Sequence, residues 1–246
     1  MAFSQKALAF LAENKMRDSK EWFLAHKSEY EESVLKPMRA LVTDLQRPLW
    51  EIDDQLIAEP KIGRSISRIY RDTRFTKDKS TFRDVIWCVF LREKSEENGP
   101  PAFFFEFSPD KVRWGCGFYR AGTDAMANIR KMVLQGDEAF EEAEKAIDRY
   151  GFLREGESYK RSKYPGASAK ERLWLDRKSI SVIKNGTYDL LENPELAAFL
   201  GREFLYLKPV YDFFMKARTL SAEQGAAPQT KEETTAVRAK RQKFDW

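Results

Sequence analysis

"AFFFEFSPDKVRWGCGFY", residues 102–119, contains two aromatic-rich runs around Ser108-Pro109-Asp110-Lys111, and its reading decides the fold. Ser, Pro and Asp favour a turn at that point. With the tetrapeptide as a hairpin loop, Phe107 faces Val112, Phe105 faces Trp114 and Phe103 faces Cys116. That face is wholly apolar and has to be buried. The opposite face sets Glu106 against Arg113 and Phe104 against Gly115, followed by Gly117 and Tyr119. Glycine inside a strand marks close approach by a neighbouring backbone, cover by an aromatic ring, or room for a ligand. Gly115 and Gly117, bordered by Tyr119, therefore form a candidate pocket floor. The preceding strand is expected to add Trp87 and Val89 to the core of Phe105, Phe107 and Trp114.

Helical spacing lies on both sides of this sheet region. Residues 3–15 carry Ser4 as a candidate cap before the apolar positions Ala7, Leu8, Phe10 and Leu11. From Ser19 to Leu45 a second helix is expected, bent or split by Pro37. "EIDDQLIAEPKIG", residues 51–63, reads as a linker, and strands are expected over Ser65–Arg71, Val85–Leu91, Ala102–Phe107 and Lys111–Tyr119. Helical spacing returns over Asp124–Tyr150 with a break at Gly136-Asp137, a short strand follows at Lys178–Ile183, and a long helix opens at Asn193-Pro194. Helices, then strands, then helices predict an α+β fold: a mainly antiparallel sheet with N-terminal and C-terminal helices packed on it. Residues 1–218 form the expected single domain, and 219–246, poor in large apolar residues, a charged C-terminal tail.

Composition removes several function classes. A chain of 246 residues, 42% hydrophobic, can bury a full core. Its longest apolar run, "VIWCVFL" at 85–91, is far short of the roughly 20 residues of a membrane helix, and no membrane partner is expected. The N-terminal residues do not resemble a signal peptide, so a cytoplasmic location is expected. Cys88 and Cys116 sit in apolar strands and are expected to be reduced and buried. With His26 as the single histidine, His-rich zinc sites, two-His-one-carboxylate iron sites and HExxH proteases drop out, and no metal is expected. Gly115-Cys116-Gly117 lies within a strand rather than opening a helix, so neither a phosphate-cradling loop nor a dinucleotide fingerprint is present and no cofactor is expected.

Charge is concentrated in one segment. Between Lys61 and Arg83 stand eight basic residues (Lys61, Arg64, Arg68, Arg71, Arg74, Lys77, Lys79 and Arg83) against Asp72 and Asp78, a balance of +6 within a chain total of +4. The remainder sums to −2, so the positive excess belongs to this stretch. Strand alternation places Arg64, Ile66, Arg68 and Tyr70 on one face and Ser65, Ser67, Ile69 and Arg71 on the other. A turn after Arg71, supported by Asp72 and Asp78, would let Arg71, Arg74 and Lys79 surround one concavity. The arginine fork suits phosphate or carboxylate. The structural alternative is an Arg-Asp network pinning a long loop.

"ISRIYRDTRFTKDKSTF", residues 66–82, resembles the signature of a conserved-hypothetical family of bacteria and fungi, domain of unknown function 2461: Arg-x-x-Arg-Asp-x-Arg-Phe, then Asp-Lys and an aromatic residue. "EWFLAHKSEYEESVLKPMRALV", "WGCGFYRAGTDAMANIRKMV" and "YKRSKYPGASAKERLWLDRKSISV" extend the likeness over roughly residues 3–216. The resemblance places the motif on Arg68, Arg71, Asp72, Arg74, Phe75, Asp78 and Lys79. It implies no activity. Phe82 stands where the family has tyrosine, and Cys116 interrupts its glycine triplet.

The leading functional expectation is an anion site in which Arg68, Arg71, Arg74 and Lys79 bind a phosphate- or carboxylate-bearing small molecule beside Gly115, Gly117 and Tyr119. For chemistry, Asp72 or Asp78 is the acid/base candidate and Tyr119 the proton donor. The alternatives are nucleic-acid binding, with Tyr70, Phe75 or Trp114 as stacking surface, and an interaction module whose motif is structural.

Overall fold

The computed structural model describes residues 3–74, 77–93, 99–119 and 121–225. Helix α1 (Gln5–Arg17) buries Ala7, Phe10, Leu11 and Asn14 along one stripe and stops at Asp18, whose φ of 44° is left-handed. The single helix expected over 19–45 is divided into α2 (Lys20–Ala25), α3 (Lys27–Tyr30), a π-helical turn (Glu31–Leu35) and α4 (Lys36–Asp44). The wide turn lies where the Pro37 ring would otherwise meet the carbonyl of Ser33. Helix α5 (Gln46–Ile52) then takes up the first residues of the expected linker.

The strand expected at Ser65–Arg71 is replaced by single bridges, Ile66 with Cys88 and Tyr70 with Phe82. Its serines explain the interruption. Ser65 Oγ donates to the Ile57 carbonyl and accepts from Glu59 N, and Ser67 Oγ takes the Trp87 N–H, so among the described residues pairing with β1 is limited to Ser67 N with the Trp87 carbonyl and Val89 N with the Ser65 carbonyl.

The sheet contains β1 (Ile86–Phe90), β2 (Ala102–Ser108), β3 (Lys111–Gly117), β4 (Leu153–Glu155) and β5 (Ser181–Gly186), in the antiparallel order β1-β2-β3-β5-β4. The hairpin register is the expected one: Phe103 opposes Cys116, Phe105 opposes Trp114 and Phe107 opposes Val112. Helices at both ends of the chain cover that face. Phe3, just before α1, meets Phe107 edge-on at 4.7 Å; Phe204 of α10 (Leu196–Tyr206) and Tyr211 of α11 (Lys208–Gly225) pack on Phe103 at 5.3 and 5.0 Å. The fold is α+β.

Trp87 and Val89 are on the other face. In β1, Trp87 opposes Glu106 and Val89 opposes Phe104, whereas Ile86, Cys88 and Phe90 enter the core. Residues directly opposite one another share a face, so a one-residue difference in assignment exchanges the two sets. Close approach explains the β3 glycines: a Cβ on Gly115 would lie 2.3 Å from the Val182 carbonyl oxygen, and one on Gly117 2.4 Å from Ser181 Cβ.

Between β3 and β4, α6 (Thr123–Gln135) and α7 (Glu138–Tyr150) meet at left-handed Gly136 and at Asp137, which caps α7 through Ala139 N. Short helices α8 (Ala169–Leu175), opened by a Ser168/Glu171 capping box, and α9 (Asp189–Glu192) were not foreseen in the sequence. The long C-terminal helix is broken at Leu207, before Pro209, into α10 and α11. Helix α11 continues to Gly225, past residue 218; residues 226–246 of the expected tail lie outside the described residues. No helix among the described residues is long and apolar enough to cross a membrane.

Candidate functional site

The basic motif folds as a loop between two short arms. Arg71 N donates to the Thr81 carbonyl and Arg83 N to the Ile69 carbonyl, both at 2.9 Å, so the two arms pair at the base of the loop. Helix α1 anchors it. Asp18 Oδ1 accepts from Thr81 N (2.7 Å) and Phe82 N (3.0 Å), and Lys15 Nζ donates to Ser80 Oγ at 3.0 Å. The left-handed turn at Asp18 aims this carboxylate away from its own helix. Buried Phe82 packs between Phe23 and Tyr70, at 5.1 and 4.9 Å, in a setting where a ring without a hydroxyl is satisfied.

Several predicted site residues support the loop itself. Arg74 grips Asp72 through two bonds, Nε to Oδ1 at 3.0 Å and Nη2 to Oδ2 at 2.8 Å, while Arg74 N also donates to Oδ1. The Arg74 side-chain bond, followed by the backbone bond, holds the Asp72 carboxyl down at about 2. Lys79 Nζ donates to the Thr73 carbonyl at 2.7 Å. Asp78 accepts from Ser80 N and Oγ and pairs with Arg71 Nη2 at 3.2 Å; the backbone bond, then the hydroxyl bond, keep it at about 2 as well. Arg68 is elsewhere, with its guanidinium against the left-handed turn at Gly63. Phe75 lies outside the described residues. The structure thus brings together Arg71, Asp72, Arg74, Asp78 and Lys79, and separates Arg68 from them.

Arg71 and Arg83 lead from the loop to the sheet. The Arg71 side chain is largely covered, and its Nε is buried without a hydrogen-bond partner. Arg83 is partly buried, and its guanidinium lies 4.6 Å from the centroid of the Trp87 ring. No carboxylate comes within ion-pair distance of Arg83 among the described residues. Burial, and next the positive charge of Arg71, push the Arg83 pKa below its ordinary value. A bound anion would offset the repulsion from Arg71 and favour the charged guanidinium. The sequence reading counted Arg83 in the charge balance but not in the site; its position four residues before Trp87, at the mouth of a strand, was the available signal.

Beyond Trp87 the uncovered face holds a cavity of about 330 Å³, walled chiefly by Trp87, Val89, Phe104, Phe118 and Tyr119, with Gly117 and Ser181 at one side and Glu106 and Arg113 at another. Tyr119 is 91% exposed at the rim, within electrostatic reach of Arg83. Gly117 is part of the wall; Gly115 lies under β5. Trp114 points into the core and donates Nε1 to Glu203, so it offers no stacking surface.

Other reactive groups are occupied. His26 stacks on Trp22 at 4.1 Å and bonds its carbonyl. Cys88 and Cys116 are buried free thiols, with burial pushing Cys88 up to about 12 and Cys116 well above its ordinary range. Among the described residues no group of three or more His, Cys, Asp or Glu is arranged to hold a metal ion.

The loop, its α1 anchors, the sheet and α10 all fall within residues 6–213, which match the family model described as "Conserved hypothetical protein (DUF2461)". The chain belongs to this family. No curated protein and no solved structure matches it. The DUF2461 description names no reaction or ligand, so the functional reading rests on the site chemistry.

Proposed function

We propose that this DUF2461 protein binds a small molecule carrying a phosphate or carboxylate, with the anion on Arg83 and Arg71 and the body of the molecule in the sheet-face cavity. The observation that carries this reading is the partly buried Arg83 guanidinium, stacked on Trp87 with no carboxylate in ion-pair range among the described residues. A partly desolvated cation with no ion pair, stabilised at longer range by Tyr119 and Asp72, is costly to keep, and such groups concentrate at binding sites. The orphaned Nε of Arg71 is a second donor nearby. A concave, mainly apolar wall with few polar groups is the usual form of a small-molecule site.

Arg74 and Lys79 take a different role in this reading: with Asp72 and Thr73 they shape the loop that presents Arg71. Asp72 and Asp78, held at about 2, are weak bases at neutral pH, so Tyr119 at the rim is the remaining proton-transfer candidate. Calorimetric titration with phenyl phosphate and benzoate tests the proposal. Binding is expected for the native chain and at least about tenfold weaker binding for Arg83→Met, whose thermal stability should be equal or higher. Equal affinity in the variant, or no binding by the native protein, contradicts it.

A further inference from the structure

We infer that the molecule bound on the sheet face is a flat heterocycle with N–H donors, joined to a single phosphate or carboxylate. This rests on the anion site proposed above and specifies the rest of the ligand. Trp87 and Glu106 are directly opposed on adjacent strands, and both line the cavity. Arg83 covers Trp87 from the loop side, so a cation and a carboxylate flank the same indole. Adjacent strands are about 4.8 Å apart, so Glu106 stands immediately beside the indole that Arg83 covers.

Glu106 has acceptor capacity left over. Lys111 Nζ, at 3.0 Å, and Arg113 Nε both close on Oε1, and among the described residues no hydrogen bond reaches Oε2. The two cations already offset its charge, and Arg113 also pairs with Glu155 at 2.7 Å. A ligand ammonium would therefore gain little there, whereas a neutral N–H matches an unused oxygen in a half-buried setting. Val89, Phe104 and Phe118 supply apolar wall for a flat body, and a 330 Å³ cavity is at the small end of ligand sites, sized for one ring system. A planar N–H heterocycle bearing one anion satisfies the cation, the rings and the acceptor together.

Two matched probe pairs test this: benzoate against orotate, and phenyl phosphate against guanosine 5′-monophosphate, each titrated calorimetrically into the full chain. The N–H-bearing member of at least one pair should bind roughly tenfold or more tightly, because a site built to accept a hydrogen bond discriminates against a ligand lacking the donor. Glu106→Gln should remove that advantage without weakening benzoate or phenyl phosphate, since it takes a negative charge away from the neighbourhood of an anion and replaces the free acceptor with an NH₂ group, the amide oxygen staying with Lys111 and Arg113. If all four bind alike, the heterocycle inference fails and the anion site stands. If none binds, the anion site fails with it. The native-chain comparison decides the question even if Glu106→Gln does not fold.

Discussion

At the scale of single residues, the motif's side chains separate into those that build the loop and those left able to meet a ligand. Arg74 and Asp72 look like a strong pair, but their side chains are 76% and 48% exposed, and water weakens such a bond. Arg74→Met should therefore leave the urea-unfolding midpoint close to that of the native chain, whereas a large downward shift would assign the pair a buried structural role. The carboxylates make a pH statement. Asp72 and Asp78 are depressed from an ordinary 3.8 to about 2, so their contribution to loop order is complete above the unfolded value and disappears as pH falls from 3.8 toward 2. Carboxyl-carbon NMR should give midpoints near 2 for both, and the loop should be insensitive to pH from 5 to 9; midpoints near 4 would show that the network does not hold. Arg71, Asp72, Arg74, Asp78 and Lys79 were legible as a cluster because they are close in sequence. The anchors Lys15 and Asp18 were not, since they meet the loop across more than 60 residues of chain.

At the scale of elements, the hairpin from Ala102 to Gly117 could be registered residue by residue, because alternation and a turn signal agreed. The run at 85–91 carried no such information: every residue is apolar, so either face of β1 could have been the buried one, and Trp87 and Val89 were placed on the wrong side. That misplacement concealed the cavity wall. The arm at 65–71 alternated convincingly but meets β1 through two backbone bonds, Ser67 N to the Trp87 carbonyl and Val89 N to the Ser65 carbonyl, while Trp87 N turns to the Ser67 hydroxyl. The glycines of β3 were recognised as exceptional, with packing and ligand room left as alternatives; close approach of β5 accounts for both, and Gly117 also borders the cavity. Gly117→Ala should cost about 1–3 kcal/mol, because its new Cβ would meet Ser181 Cα at 2.6 Å and force β5 away. A neutral effect on chemical denaturation would mean that this approach is not enforced.

At the scale of the whole molecule, helices from both ends of the chain occupy one face of an antiparallel sheet, and the loop is tied to α1 so that its cations reach the other face. The α+β class followed from the order of helical and alternating segments; the sidedness did not, because it depends on which distant helices pack where. The positive excess of residues 61–83 reads differently in three dimensions: much of it is answered locally by Asp72, Asp78, Glu59 and backbone carbonyls, while Arg83, without an ion pair among the described residues, stacks on Trp87 of the cavity wall. The central claim is that Arg83, with Arg71, is the anion receptor of this fold. Crystals soaked in 4-bromobenzoate test it most directly, because the bromine gives an anomalous peak that locates the ring while the density fixes the carboxylate. The account predicts the carboxylate within hydrogen-bond distance of Arg83, with the bromine over the cavity bordered by Trp87 and Phe104; a ligand seated instead on Arg74 and Lys79, or no peak on the sheet face at millimolar soak, would contradict it.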